Sequence, residues 1–93
     1  MKKYPKVRSV KPFERKKLFV TFSSGTKKIY DCIPLLNEEV FSSLKDDAFF
    51  KNVHPDKHGY GIIWNDQIDL SETELWVNGI TTEQAARSDS FIS

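Results

Sequence analysis

Six residues, Lys17-Leu18-Phe19-Val20-Thr21-Phe22, constrain the fold of this chain more than any other stretch. Leu18, Val20 and Phe22 recur at every second position, the period of a strand with one buried face. Phe19 falls on the opposite face, where it is expected to meet a helix or a neighbouring strand. Ser23-Ser24-Gly25 follows as a turn, and its glycine supplies the positive φ that tight hairpins require. Thr26 to Asp31 reads as the returning strand, with Ile29 and Tyr30 on opposite faces. Upstream, Lys6 to Phe13 reads as a first strand. Val7, Val10 and Phe13 are spaced by three, which breaks the alternation and predicts a bulge or a strand end. Glu14-Arg15-Lys16 is a polar connection. The three strands together predict an antiparallel meander.

Beyond Asp31 the pattern changes. Pro34 stops the strand, and Asn37 is placed to cap a helix over Glu38–Lys45. Glu38 and Glu39 suit its first turn, and Leu36, Val40, Phe41 and Leu44 predict its apolar stripe. Asp46-Asp47 reads as a break, Phe49 to His54 as a strand, and Pro55 to Gly59 as a turn. Tyr60, Ile62 and Trp64 alternate on one face of a further strand. After a turn at Asn65-Asp66, Ile68 and Leu70 lead into a second helix from Glu72 to Asn78. Ser71 and Glu74 match the capping box, Leu70 and Leu75 the hydrophobic staple, and Asn78-Gly79 a helix stop. A helix this short needs docking on the sheet to persist, and Leu75 and Trp76 are its expected docking residues. The expected fold is a single α+β domain over 1–80, an antiparallel sheet of about five strands with two short helices. Residues 81–93 read as a tail, with a helical turn over Thr82–Arg87 and a frayed, partly disordered end.

Ninety-three residues suit one domain. Seven Phe, three Tyr and two Trp must carry much of its core, which leaves little room for a deep cofactor pocket. The single cysteine, Cys32, allows no internal disulfide. No apolar run approaches the roughly 20 residues of a membrane span. The basic N-terminus is followed by no apolar segment of the signal-peptide kind. A cytoplasmic protein is the expectation. The net charge of +1 conceals a division. Residues 1–30 carry ten basic side chains against one acidic, and the remainder carries four against twelve. Such a split signals either a basic surface for an acidic partner or two halves that attract one another within the fold.

The order of these landmarks resembles the prokaryotic domain-of-unknown-function 2442 family. The stretch runs from Val7 to Trp76. It comprises Leu18-Phe19-Val20-Thr21-Phe22 with its glycine turn, Tyr30-Asp31, Pro34-Leu35-Leu36, and Phe41 with Leu44. It continues through Val53, Ile63-Trp64, Asp69-Leu70-Ser71 and Glu74-Leu75. The chain departs from the family picture at Asn65-Asp66-Gln67, where a glycine is expected, and at Trp76, where a tyrosine is usual. The resemblance implies a small α+β domain without known activity. It also implies a binding role, including that of an antitoxin-like partner of a small toxin.

Chemistry-bearing residues are sparse. His54 and His58 flank Asp56, but Pro55 and Gly59 place them in a turn, so solvated histidines are expected rather than a metal site. Cys32 reads as a buried thiol. Asp31 and Asp69 each end a strand, where a carboxylate accepts backbone N–H groups. The glycines Gly25, Gly59, Gly61 and Gly79 are scattered and form no phosphate loop. No catalytic, cofactor or metal residues are assigned, and no enzyme activity is expected. A pocket lined by Asp31, Cys32 and His54 would reverse that expectation. Arg8, Lys11, Lys17, Lys27 and Lys28 are the candidate partner-binding residues, joined by Lys6. Another small protein is the expected partner. The alternative is nucleic acid, with Phe19 and Tyr30 stacking on bases. Lysines on a hairpin also serve to guard sheet edges, which is the structural alternative to either.

Overall fold

The computed structural model describes residues 4–82. Strands β1 (Val7–Phe13), β2 (Lys17–Phe22) and β3 (Lys27–Asp31) come first, followed by two 3₁₀ segments, Ile33–Asn37 and Glu39–Lys45. Helix α1 (Asp47–Phe50), strands β4 (His54–Pro55), β5 (Gly61–Asn65) and β6 (Ile68–Ser71), helix α2 (Glu72–Asn78) and strand β7 (Ile80–Thr81) complete the order. The fold is α+β with antiparallel pairing throughout, as the sequence predicts. The strands divide into two sheets, ordered β1-β2-β3-β7 and β4-β5-β6.

The meander forms as its pattern requires. Leu18, Val20 and Phe22 are fully buried. The register of β1 slips between Val7 and Ser9, where the spacing of three breaks alternation. Gly25 closes the second hairpin with φ +91. The first hairpin is unusual, because Arg15 and Lys16 adopt φ 63 and 58 without being glycine or asparagine. Each such residue costs about 1–2 kcal/mol against its ordinary conformation. The Lys16 ammonium offsets part of this by donating to the Asp47 carboxylate and to the Lys45 carbonyl.

Several local expectations are corrected. The segment expected as a helix over Glu38–Lys45 winds as a 3₁₀ turn over Glu39–Lys45, with Glu38 rather than Asn37 at its N-cap position. The tighter period aligns Phe41 with Leu44, buries Leu44 and leaves Val40 56% exposed. Asn37 instead ends the preceding 3₁₀ segment. The strand expected from Phe49 to His54 is mostly α1 and its exit, and only His54–Pro55 pairs as β4. Asp46, which reads as a breaker, caps that helix by accepting from the Ala48 N–H at 2.9 Å. Tyr60 lies outside the core, 56% exposed, because β5 begins one residue later. Ile62 and Trp64 are buried, and the Trp64 indole N–H donates to the Phe50 carbonyl at 3.0 Å.

Helix α2 spans the predicted residues, and the Ser71 hydroxyl accepts from the Glu74 N–H at 3.1 Å. The capping box is half made, since the Glu74 carboxylate turns instead to the Tyr30 hydroxyl and the Asn78 amide. Gly79 has φ −77, so it does not provide the left-handed stop expected of it. Its role is room, because a Cβ there would lie 2.5 Å from the Leu75 carbonyl. The chain then adds β7 to β3, one residue beyond the expected domain end at 80. Residues 83–93, which hold most of the predicted tail, lie outside the described residues. The core fills the space between the inner face of the four-stranded sheet and the rest of the chain. Val7, Phe22, Tyr30, Leu44, Trp64 and Leu75 are among its members.

Candidate functional site

Register decides what each face of the four-stranded sheet displays. Residues directly paired in an antiparallel sheet project to the same side. Val10 pairs with Val20 and Val20 with Lys28, and Leu18 pairs with Tyr30, which defines the inner rows. The outer rows alternate with them. Lys11 pairs with Phe19, Phe19 with Ile29, and Ile29 with Ile80, so one row crosses all four strands. Phe13, Lys17 and Asp31 form a second outer row, and Ser9, Thr21 and Lys27 a third.

None of these outer residues is buried. Phe13 is 40% and Ile80 42% exposed. Phe19 and Ile29 are half-buried, yet neither is among the apolar side chains packed against the core. The described chain therefore leaves one sheet face open, with an apolar band at its centre and Lys11, Lys17 and Lys27 around it. Pro12 and Lys11 on the outermost strand oppose further strand pairing at that edge.

The predicted partner-binding residues divide accordingly. Lys11, Lys17 and Lys27 share the open face, and Arg8 is exposed beside the bulge of the same sheet. Lys28 does not join them. It lies on the inner side at the sheet's margin, with its ammonium 4.3 Å from the Trp76 ring centroid and donating to the Trp76 carbonyl. Partial burial there lowers its pKa. Lys28 clips β3 to α2 through a cation–π contact and a hydrogen bond to the Trp76 carbonyl. Lys6 lies over the Tyr60 ring at 5.1 Å, away from the apolar band. Tyr30 is buried and cannot stack on a base.

The opposed charges of the two halves meet at few points. Among the described residues the one ion pair joins Lys16 to Asp47. Lys17 faces Asp31 across the β2–β3 register without forming one. The lysines of the open face are thus not consumed by the acidic half through direct pairing.

Most of the remaining candidates take structural roles, but Asp69 lies within β6 rather than at a strand end, exposed and without a hydrogen bond to a backbone N–H among the described residues. Asp31 accepts from the Ile33 N–H at 2.9 Å. Asp56 accepts from the His58 and Tyr60 N–H groups, which holds its carboxyl below the usual range. His54 Nδ1 lies 3.1 Å from the Asn52 carbonyl, and the His58 ring lies 5.9 Å from that of Tyr60. Cys32 is fully buried, and burial, with Asp31 second, pushes its thiol up to about 12. It stays protonated and unreactive at neutral pH. Asp31, Cys32 and His54 line neither the cleft at Arg15 nor the one beside Asp56 and Asp69. Among the described residues, no three His, Cys, Asp or Glu side chains are grouped to hold a metal ion. No helix among them is long and apolar enough to cross a membrane.

Fold and surface define a small α+β domain built around two antiparallel sheets, one with an open face. A family model described as protein of unknown function (DUF2442) matches residues 7–81, and the chain belongs to that family. No curated protein and no solved structure matches the chain.

Proposed function

We propose that this domain is a non-enzymatic protein-binding module that meets its partner through the open face of the four-stranded sheet. The row Lys11–Phe19–Ile29–Ile80 supports this reading more than any other observation. An apolar centre with a polar rim is the anatomy of a protein interface. The rim here is basic, so the complementary surface is an apolar strip bordered by carboxylates, and its approach is steered electrostatically. A second copy of this chain would oppose lysine to lysine, which disfavours self-association through the same face. An antitoxin-like partnership with a small toxin in the cytoplasm is the specific form that the family resemblance suggests.

The alternative, a nucleic-acid surface, draws on Phe13, Phe19 and the three lysines. The aliphatic half of the band, Ile29 and Ile80, offers no stacking plane, which favours the protein reading. The test is affinity capture at low salt with wild type and with Phe19→Glu, before and after nuclease treatment. The expected result is a discrete protein retained by wild type, lost in the variant and indifferent to nuclease. Capture that survives Phe19→Glu, or that nuclease abolishes, overturns the reading.

A further inference from the structure

The two left-handed residues of the first hairpin face a cleft of about 370 Å³, close to the lower end of small-ligand sites at roughly 300–1,000 Å³. Pro12 and Phe13 give it apolar walls above the buried Phe50, and its charged lining sets Arg15, Lys16 and Lys51 against Glu14 and Asp47, the last paired with Lys16. Lys16 has a structural reason to be there, since its ammonium is bound by Asp47 and by the Lys45 carbonyl and lies 5.3 Å from the Phe50 ring centroid.

Arg15 has no such reason. It is exposed, adopts φ 63 where glycine or asparagine would sit without strain, and has no hydrogen bond or ion pair among the described residues. Lys51 across the cleft likewise has no ion-pair partner among them. A strained turn that holds an unengaged guanidinium at the mouth of a cleft whose cations exceed its carboxylates by one suits a planar anion, which a guanidinium grips through two parallel hydrogen bonds.

We propose that this cleft receives a carboxylate of the partner's acidic segment at Arg15, with a neighbouring apolar side chain resting against the exposed Phe13. The proposal builds on the reading of the domain as a protein-binding module, because Phe13 belongs both to the cleft and to the open face. The segment thus runs from the apolar band over the sheet's end, and Arg15 anchors it there. The volume suits one or two side chains.

The probe is a capped pentapeptide with one phenylalanine between two glutamates, titrated at low salt into isotope-labelled full-length protein and followed by NMR. Its glutamine analogue and inorganic phosphate are titrated in parallel. The expected result is shifts confined to residues 13–17 and 47–51, with weaker binding of the analogue and of phosphate alone. Arg15→Gly relieves the strained backbone, so this variant is expected to melt higher than wild type while losing about tenfold in peptide affinity. Lys51→Gln is expected to weaken the peptide less. Undiminished binding by Arg15→Gly, equal binding of the analogue, or no shifts in these segments overturns the proposal. Retention of the partner protein by Arg15→Gly together with its loss in Phe19→Glu refutes the anchor and leaves the open-face reading standing. Loss in neither variant refutes both.

Discussion

The Tyr30 hydroxyl donates to Glu74 Oε2 at 2.7 Å, joining β3 to the first turn of α2. The same oxygen accepts from the Asn78 amide at 2.8 Å, so the helix is tied at both ends to one carboxylate. Tyr30→Phe is expected to lower stability by about 1.5–3 kcal/mol, the range of a hydrogen bond to a charged group. Glu74→Ala should cost at least as much, because it orphans the buried hydroxyl. Urea melts of both single variants and the double variant measure the coupling. Additive losses would show that the contact does not hold the helix to the sheet.

Alkali should destabilise the domain. Burial raises the Tyr30 hydroxyl, aided by Glu74, and raises the Cys32 thiol to about 12. Both groups keep their protons longer in the folded chain than in the unfolded one. Their contribution is therefore complete below pH 9 and declines as pH climbs through the unfolded values near 9 for cysteine and 10 for tyrosine. Each deprotonating group removes about 1.4 kcal/mol per pH unit inside its window. Cys32→Ala should flatten the loss between pH 9 and 10, at the cost of a small cavity. A melting temperature constant from pH 8 to 11 would contradict the burial of both groups.

Packing around α2 gives a graded series. Leu75 is fully buried, and Leu75→Ala is expected to cost about 2–5 kcal/mol. Ser71→Ala removes the hydroxyl that accepts from Glu74 N–H and should cost about 0.5–2 kcal/mol. Denaturant midpoints order the two, and a Leu75→Ala variant as stable as wild type would show that α2 does not dock.

Gly61→Ala should be more damaging than a strand glycine's low propensity implies. A Cβ there would overlap the Leu70 carbonyl, within the β5–β6 pair. The strands must separate to admit it, and overpacking of this kind costs about 1–3 kcal/mol or more. Calorimetry checks it, and an unchanged melting temperature would mean that β5 and β6 are not held at this register.

How far the sequence reveals this molecule depends on how local each signal is. The period of Leu18, Val20 and Phe22 and the cap at Ser71 are contained within one element, and both are realised where they are read. Phe49, Phe50 and Val53 read as a strand, although a short apolar run suits a strand or a buried helical turn equally, and Asp46 as a cap decides for a helix over Asp47–Phe50. The open face was half legible. Phe19 and Lys17 follow from alternation in β2, but Ile80 enters only through the two-residue β7, too short to leave a periodic trace. Lys28 was misplaced because its inward-facing position became tolerable only through Trp76, 48 residues away. The cleft at Arg15 left no sign, since Glu14-Arg15-Lys16 carries none of the usual turn residues.

The most direct test of the open face is photo-cross-linking in the cells that naturally produce the protein. A photoreactive phenylalanine analogue is placed at Phe19, in the centre of the apolar band, and in a separate variant at Tyr60, which is exposed elsewhere. The account predicts one discrete protein adduct from position 19 and none from position 60. Equal adducts from both positions, or an adduct from position 19 that is nucleic acid, would contradict it.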